Sequence, residues 1–210
     1  MGFEGHGKVS KPDSSTKAGW LGYTCGHCNH KVSGAVVAFY GWISKSPSIM
    51  PDVKHTVFWL QCTCCGHGSV RDDGNCYPGL HYGPIIDGLP SEIENAYSEV
   101  RRCMSVNSYT ASELLCRKIL MHVAVEKGAK EGESFDSYLT YLEKTGYITP
   151  PIKNWVDSIR KHGNESTHKI DSPDKERAEC TVMFTAELLK LIYEMDHLAK
   201  IYTPKEKTTN

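Results

Sequence analysis

The sequence predicts a mainly α-helical protein in which a small β ribbon precedes an antiparallel helical bundle. Paired cysteines flank two strand-like runs in the first third of the chain, and from Pro90 onward apolar residues recur at helical spacing. The 210 residues, of which 40% are hydrophobic and 23% charged, provide enough chain for one medium domain and one small one. Helices with an apolar stripe on one face, joined by short connections, are typical of such a bundle.

Two Cys-x-x-Cys pairs form the most specific motif, and they predict a metal site. They are Cys25-Gly26-His27-Cys28 and Cys62-Thr63-Cys64-Cys65. Zinc binds thiolates tetrahedrally, and a two-residue gap lets one tight turn aim two sulfurs at the same ion. We therefore expect a zinc ribbon with one structural Zn²⁺ held by Cys25, Cys28, Cys62 and Cys65. Four thiolates leave no open position for water, so the ion should hold the module folded.

Neighbouring residues offer alternatives to that ligand set. His27, His30, Cys64 and His67 lie beside the four cysteines, and each could replace one of them. Alternatively, the four cysteines could be ordinary reduced thiols or form a disulfide, but their paired spacing disfavours both interpretations. The chain has nine cysteines, an odd number that fits a reducing compartment. We expect small core residues or inert thiols at Cys76, Cys103, Cys116 and Cys180.

Five segments are predicted along the chain. Residues 1–19 should form a flexible N-terminus, 20–70 the zinc ribbon, 71–89 a turn-rich linker, 90–202 the helical bundle and 203–210 a disordered tail. Within the ribbon, β-branched and aromatic residues predict strands over Gly34–Trp42 and His55–Leu60. The linker follows from successive turn signals, among them Asp73-Gly74 and Gly83-Pro84.

Five helices are predicted in the bundle. The expected ranges are Ser91–Val106, Tyr109–Lys127, Ser134–Lys144, a fourth helix that begins at Pro150-Pro151 and continues through Ile159, and Asp174–Ile201. Ser91 and Glu94 stand at the spacing of a capping box, which marks the first helix start. The last helix has a broad apolar face, and this favours a dimer; the face includes Met183, Phe184, Leu191 and Tyr193.

The overall charge gives no sign of a dedicated nucleic-acid binder. Lysine and arginine number 24 against 25 acidic residues, for a formal net charge of −1. Local basic clusters are candidate contacts, and we expect Arg160, Lys161 and His162 to form a nucleic-acid-binding group. The sequence has neither an apolar run of membrane-spanning length nor the apolar core of a secretion signal. We therefore expect a cytoplasmic protein with no membrane partner.

The segment Arg160–His168 concentrates groups that could act on a phosphodiester. Arg160, Asn164 and His168 fall at i, i+4 and i+8, which places them on one stripe of a helix. An imidazole can take a proton from a ribose 2′-hydroxyl, and a guanidinium can stabilise the charge that builds on the phosphate. These three residues are the catalytic candidates of the sequence. The competing structural interpretation is a polar network that locks neighbouring helices together.

The order of these elements resembles a domain-of-unknown-function family found alone in bacteria and phages and attached to restriction enzymes. The resemblance extends from about Trp20 to about Ile201, and its most specific pieces are Gly163-Asn164 followed by His168 and the helix start at Tyr97 and Glu99. The other matching pieces are the Cys-pair ribbon, Leu89-Pro90 leading into Tyr97-Ser98-Glu99, and Ala111–Leu120 with Arg117.

That family is similar to the HEPN superfamily, which implies a HEPN-like helical domain that dimerises. Active HEPN members are metal-independent ribonucleases, whose motif is an arginine, usually a polar residue, three more residues and then histidine. Aligned on Asn164 and His168, this chain has Gly163 where those enzymes have arginine, and its nearest arginine is Arg160, one turn earlier. Met121 also stands where the family is expected to favour glutamate. The resemblance thus implies one of two alternatives. Either Arg160 supplies the positive charge that is missing at Gly163, or the chain has kept the HEPN-like fold and lost the ribonuclease activity.

Three functions follow from these residues and this resemblance. We expect first a zinc-ribbon and HEPN-like binding or regulatory protein of the phage or mobile-element defence arena. It would be a homodimer that acts on RNA or another nucleic acid, or on a phage or host defence protein. The alternative is a metal-independent endoribonuclease, with His168 as general acid/base, Arg160 as phosphate stabiliser and Asn164 as orienting group. The second alternative is a protein-only interaction module that docks through ribbon aromatics at Tyr40, Trp42 and Trp59.

Overall fold

The structure of the protein, a computed structural model, describes residues 8–10, 19–43, 53–168 and 172–203, with the backbone alone at 8–10, 41–43, 53–55, 151 and 162–168. The predicted flexible N-terminus and disordered tail lie largely outside these residues. The chain divides into two compact units, and the division falls between His81 and Tyr82.

An antiparallel β-sheet makes up the first unit. Its strands are β1 (Lys8–Ser10), β2 (Trp20–Thr24), β3 (Lys31–Ile43), β4 (Val53–Gln61), β5 (Gly68–Asp72) and β6 (Asn75–Tyr77). Strands β3 to β6 pair in chain order, whereas β1 and β2 both pair with the other edge of β3. Because β2 and β4 flank β3 antiparallel, they run in the same direction and end at the same end of the sheet. Each is followed directly by a Cys pair, so the pairing brings the two pairs together.

The inner face of the sheet carries the core of this unit. Directly paired residues share a face in an antiparallel sheet, so the pairs Val36 with Leu60 and Phe39 with Phe58 lie on one side. Their side chains pack with Tyr23 and with the paired cysteines. The buried members of this core are Tyr23, Cys25, Val36, Leu60 and Cys62. Two of these five are thiols, so the apolar core alone is small.

The sheet extends further along the chain than the sequence predicts. Both predicted strands are present, and they are longer than expected, at 13 residues for β3 and 9 for β4. The predicted linker 71–89 contains the end of β5 and all of β6. The reason is that Asp73 and Gly74, with φ of 43° and 89°, form the tight turn of a hairpin. Strand β1 likewise lies within the stretch predicted as a flexible N-terminus.

The second unit is helical, as predicted. Its helices are α1 (Ser91–Ser105), α2 (Tyr109–Glu126), α3 (Phe135–Lys144), α4 (Lys153–His168), α5 (Lys175–Leu189) and α6 (Met195–Tyr202), and a 3₁₀ turn at Pro150–Ile152 leads into α4. Helix α2 packs against α1, α3 and α5, and the apolar faces meet in one core. None of the described helices combines the length and the apolar character that a membrane span requires.

Side chains cap two of the predicted helix starts, and a third start differs from its prediction. Ser134 accepts a hydrogen bond from the Ser137 N–H at 3.1 Å, and Asp174 accepts one from the Arg177 N–H at 2.8 Å. The capping box expected at Ser91 is not formed. Ser91 is itself the first helical residue, and the preceding proline takes the N-cap position without a side-chain hydrogen bond.

The last predicted helix is interrupted between α5 and α6. A π-helical segment covers Lys190–Glu194, and the residue that such a turn inserts shifts the phase of the apolar stripe. Phe184 and Tyr193, expected on a dimer face, are instead buried in the bundle core, whereas α6 contains no buried residue. Helix α6 touches the bundle at Gly88, where an added Cβ would collide with His197.

Candidate functional sites on the sheet and on helix α4

Two matching turns carry the paired cysteines, Cys25–His30 and Cys62–His67. In each turn the N–H of the first residue donates to the carbonyl of the sixth, at 3.0 and 2.9 Å. The N–H of the fifth residue donates back to the carbonyl of the first, at 2.8 and 2.9 Å. The fifth residues, Asn29 and Gly66, have φ of 57° and 75°, a region that asparagine and glycine tolerate. The two turns are therefore equivalent, and both aim their cysteines at one point.

The four sulfurs lie where a tetrahedral ion would hold them. Cys25 Sγ is 3.8 Å from Cys65 Sγ, Cys28 Sγ is 3.8 Å from Cys62 Sγ, and all four atoms lie within 4.8 Å of one another. Zinc–sulfur bonds of about 2.3 Å at tetrahedral angles separate two sulfurs by about 3.8 Å, whereas a disulfide needs about 2.05 Å. The four-cysteine cluster therefore fits a structural metal site.

Backbone amides favour the thiolate form of Cys62. The Cys65 N–H points at its sulfur and outweighs the desolvation of the thiolate. Together with the Cys64 N–H at 3.4 Å, it lowers the pKa of the Cys62 thiol from 9.0 to about 6. In the equivalent turn the His27 N–H lies 3.4 Å from Cys25 Sγ. At Cys28 the balance is opposite, because the backbone hydrogen bond at His30 is outweighed by desolvation and by hydrogen bonds from the other three cysteines, which raise the pKa of its thiol to about 12. Because a metal binds the deprotonated sulfur, Cys62 is the ligand that the backbone prepares for an ion.

The alternative ligands predicted beside the cluster form two pairs. His27 stacks on His67 with ring centroids 4.7 Å apart. Their nitrogens face backbone carbonyls, His27 Nε2 at 3.1 Å from Gly68 O and His67 Nδ1 at 3.2 Å from the carbonyl of Cys65. The other pair is different, because Cys64 Sγ faces His30 Nδ1 at 3.8 Å. With Cys28, this pair forms a second group of potential metal ligands, all within 4.8 Å of one another.

The outer face of the sheet, opposite the core, exposes a row of apolar side chains. The register places Ala38 opposite Trp59, Trp59 opposite Val70, and Val70 opposite Tyr77, so the row crosses four strands. Trp59 is 38% exposed and Tyr77 is 46% exposed. Val37, at the β-bulge beside Ala38, is 54% exposed. Contiguous exposed apolar side chains of this kind mark interaction sites.

Further aromatic residues belong to this outer face, one of them predicted. Tyr40 shares the face through its pairing with Val57, whereas the side chain of Trp42 lies outside the described part of the chain. Sequence reasoning missed Trp20, which is 55% exposed and lies on the face through its pairing with Ala35. It also missed Tyr77 on β6, because the turn signals of residues 71–89 predict a linker there. The Asp73-Gly74 turn, which pairs β5 with β6, was the signal that could have found Tyr77, whereas β2 is too short for its pattern to reveal Trp20.

Arg160 on α4 is surrounded by carboxylates. Its Nη2 donates to Glu143 and its Nη1 donates to Asp157, both at 3.0 Å. Its Nε lies 3.1 Å from Asp136 Oδ1 but lacks hydrogen-bond geometry, so that contact is an ion pair alone. Burial disfavours the charge, but the carboxylates outweigh it and raise the pKa of the guanidinium. Arg160 therefore ties α4 to α3, and its donors already face anionic partners.

The rest of the predicted cluster lies on one continuous helix. Helix α4 includes Arg160, Gly163, Asn164 and His168 without a break, so His168 follows Arg160 by eight positions. That spacing is about 12 Å along the axis at about 1.5 Å per residue. The side chains of His162, Asn164 and His168 lie outside the described part of the structure, and Lys161 is exposed. The catalytic and nucleic-acid-binding assignments remain predictions.

A family model matches residues 98–206, more than half of the chain, and its description is Domain of unknown function (DUF4145). The chain belongs to the DUF4145 family. The match begins within α1 and includes α2 to α6, so in this protein DUF4145 is the helical unit. The four-cysteine sheet lies outside the match. No curated protein and no solved structure matches the chain.

Proposed function

We propose that this DUF4145 protein is a non-catalytic binding protein whose sheet presents its outer face to a partner. The observation that carries the proposal is the row of exposed side chains Val37, Trp59 and Tyr77 beside Trp20. Tryptophan and tyrosine supply large contact area at low entropic cost and dominate the energetics of many interfaces. The setting we propose is the phage or mobile-element defence arena, as the sequence resemblance implies.

We infer that the four-cysteine cluster holds a structural Zn²⁺ that keeps this face in shape. Four thiolates with sulfurs at tetrahedral separations suit zinc and leave it no open position for chemistry. The small core beneath the face includes two of the cysteines, so the ion and the core would be stabilised together. Zinc in this protein thus serves binding indirectly, by fixing the strands that carry the aromatic residues.

The charge of the outer face favours a protein partner over a nucleic acid. Among charged residues with described side chains on the strands, Lys31 and Asp72 lie on this face, and their charges cancel. Nucleic-acid binding depends on lysine and arginine that neutralise phosphates, whereas protein interfaces are depleted in charge at their centres. A phage or host defence protein is therefore the partner we propose, with RNA or another nucleic acid as the alternative.

The surroundings of Arg160 support a binding protein rather than an endoribonuclease. A phosphate stabiliser must direct its donors at the substrate, but this guanidinium donates to Glu143 and Asp157 and pairs with Asp136. Substrate would have to displace those carboxylates, which repel phosphate. A HEPN-like ribonuclease that used Arg160 with His168 would therefore begin from an unfavourable arrangement.

Affinity capture with the tagged full-length protein tests the proposal. The probe set is the wild type, the double variant Trp59→Ser/Tyr77→Ser, and the control Leu114→Ser, which changes a side chain on α2 that is 54% exposed. We expect a protein that is retained by the wild type and the control at low and high salt and is lost with the double variant. Equal retention by all three proteins would contradict a role for the outer face.

Incubation of the same proteins with labelled single-stranded and structured RNA, in buffer without added metal, addresses the alternatives. We expect RNA to stay intact and to bind weakly at every salt concentration. Cleavage by the wild type that is absent with His168→Ala and Arg160→Ala proteins of intact fold would establish the ribonuclease instead. Tight binding that weakens steeply with salt would point to a nucleic-acid partner.

A further inference from the structure

We propose that Cys64 and His30, with Cys28 as a shared ligand, form a second metal site beside the four-cysteine cluster. The ion it takes is a thiophilic d¹⁰ cation, Zn²⁺ or Cd²⁺. The two sites would make a dinuclear centre in which the Cys28 thiolate bridges both ions. This inference goes beyond the proposed binding function, since neither a partner nor a structural zinc needs a second ion.

The distances between these ligand atoms suit one metal ion. Cys64 Sγ lies 3.8 Å from His30 Nδ1, and both lie within 4.8 Å of Cys28 Sγ. Zinc bonds of about 2.3 Å to sulfur and about 2.05 Å to nitrogen separate such a pair by about 3.6 Å at tetrahedral angles. A small rotation of exposed side chains closes the remaining gap. Soft thiolate and borderline imidazole donors are the set that zinc and cadmium prefer.

The matching turns provide an internal comparison for this site. By position in the turns, Cys64 corresponds to His27, and His30 corresponds to His67. On that corresponding side the two rings stack, and their nitrogens face carbonyl oxygens of the backbone. At the proposed second site, by contrast, Cys64 Sγ and His30 Nδ1 face each other. Two equivalent turns therefore produce two different side-chain pairs, and the pair that contains Cys64 converges on a thiolate.

The second site differs from the first in its exposure. Cys25 and Cys62 are buried, whereas Cys64 and His30 are exposed and Cys28 is half-buried. Three protein donors leave one coordination position open to solvent, unlike the closed set of four thiolates. A thiolate sulfur has more than one lone pair, so Cys28 can hold an ion of the first site and still bind a second. We expect the second ion to bind more weakly and to exchange faster.

Metal stoichiometry of the full chain tests the second site. Reduced apoprotein would be equilibrated by dialysis against Zn²⁺ or Cd²⁺, and the bound metal per chain measured by mass spectrometry. We expect two ions for the wild type and one for Cys64→Ser and His30→Ala. The matched control is His67→Ala, which removes the corresponding side chain on the other side and should keep two. Cobalt(II) adds a spectroscopic readout through its thiolate charge-transfer absorption. This absorption should increase up to the second equivalent of cobalt in the wild type, but only up to the first equivalent in Cys64→Ser and His30→Ala.

Each remaining outcome overturns the second site, and one of them separates it from the structural zinc. The wild type could bind a single ion that is lost with Cys25→Ser and kept with Cys64→Ser. That result would support the four-cysteine site and refute the second site. Loss of the first ion with Cys64→Ser would make Cys64 a ligand of the first site instead. If His67→Ala lost the second ion as Cys64→Ser and His30→Ala do, the loss would result from a change in the fold of the turns and not from removal of a ligand. Because Cys64 and His30 are exposed, their variants should retain the fold, which tryptophan fluorescence checks.

Discussion

Gly26 shows how one residue without a side chain fixes the first cysteine turn. A Cβ at this position would collide with the backbone carbonyl oxygens of Pro78 and Gly79, which cannot move aside as a flexible side chain can. We predict that Gly26→Ala destabilises the sheet unit by about 1–3 kcal/mol, the usual cost of overpacking. Since folding of this unit is coupled to metal binding, zinc affinity should fall by about tenfold for each 1.4 kcal/mol. Competition with a chromophoric chelator measures it.

The matched control for that change is Gly22→Ala on β2. No atom lies within 4 Å of the Cβ that it would add, and the backbone there has no left-handed conformation. We expect wild-type zinc affinity for this variant. If Gly22→Ala weakened zinc as much as Gly26→Ala did, the loss would belong to glycine replacement in general and not to the contact with Pro78.

Arg160 and Glu143 predict how the stability of the helical unit depends on pH. The hydrogen bond from Arg160, more than any other interaction, lowers the pKa of the Glu143 carboxyl below its ordinary value of 4.5. Such a carboxylate stabilises the fold at pH above 4.5, and the contribution is lost as pH falls through the lowered pKa. Glu143→Gln should therefore reduce the acid-induced loss of unfolding free energy. Urea titrations followed by helical circular dichroism, at neutral and acidic pH, measure it.

Two comparisons decide whether Arg160 is the cause. Arg160→Ala removes the donor, so it should flatten the acid dependence as Glu143→Gln does, and the double variant should add little further. Identical acid dependence in wild type and Glu143→Gln would refute the assignment. A merely packing role for Arg160 would lower stability by a similar amount at every pH.

The residues of the candidate sites differ in how far sequence could predict them. Cys25, Cys28, Cys62 and Cys65 were predictable because the ligand geometry of a metal is local, and two turns of fixed spacing encode it. The surroundings of Arg160 were not, because Asp136 and Glu143 come from another helix. The spacing of residues within α4 cannot predict which carboxylates of α3 lie beside it. A spacing that is typical of a catalytic motif can therefore belong to an ion-pair network.

Among the elements, the helices were more predictable than the strands. Helical periodicity persists over many residues, so the bounds of α1 to α3 differ from prediction by one residue at an end. The short strands β2, β5 and β6, of three to five residues, carry too few positions for a pattern and depend on pairing with distant partners. The π-helical segment before α6 had no signal either, since a π turn inserts one residue without a proline or glycine to mark it in Lys190–Glu194.

Helix α6, together with Leu191 in the π-helical segment before it, carries the apolar stripe on which we base a proposed homodimer. Leu191, Met195, Leu198 and Tyr202 follow at spacings of four, three and four, as in a coiled-coil seam, and their exposure ranges from 37% to 78%. Helix α6 continues from the π-helical segment and has no buried residue, so a second copy of the seam would cover apolar side chains that this chain leaves exposed. We predict that Met195→Glu and Leu198→Glu shift the protein from dimer to monomer in sedimentation velocity, with helical content nearly unchanged.

Leu114→Glu provides the control for the proposed seam. Leu114 is as exposed as the α6 residues, at 54%, but it lies on α2. The variant should sediment as the wild type does. A monomeric wild type, or a dimer that survives both α6 substitutions, would exclude this seam as the dimer interface.

At the scale of the whole molecule, the two units depend on different interactions. The helical unit has an extensive apolar core, whereas the sheet unit buries three apolar side chains and two cysteines. A core that small seldom provides net stability after the entropy of the chain is counted, and a structural metal is the usual compensation. Stability should therefore divide along the boundary between His81 and Tyr82.

Removal of the metal tests this division directly. We predict that a strong chelator at neutral pH unfolds the sheet unit and leaves the helical unit folded, because the bundle contains none of the four metal ligands. Tryptophan emission should shift to the red, since three of the four tryptophans, Trp20, Trp42 and Trp59, belong to the sheet unit, while helical circular dichroism should persist. Cys25→Ser should reproduce the chelated state without chelator, and Cys103→Ser, which alters a thiol in the helical unit, should not. Cooperative loss of both signals would mean that the units share one folding transition, and the metal would then stabilise the whole chain.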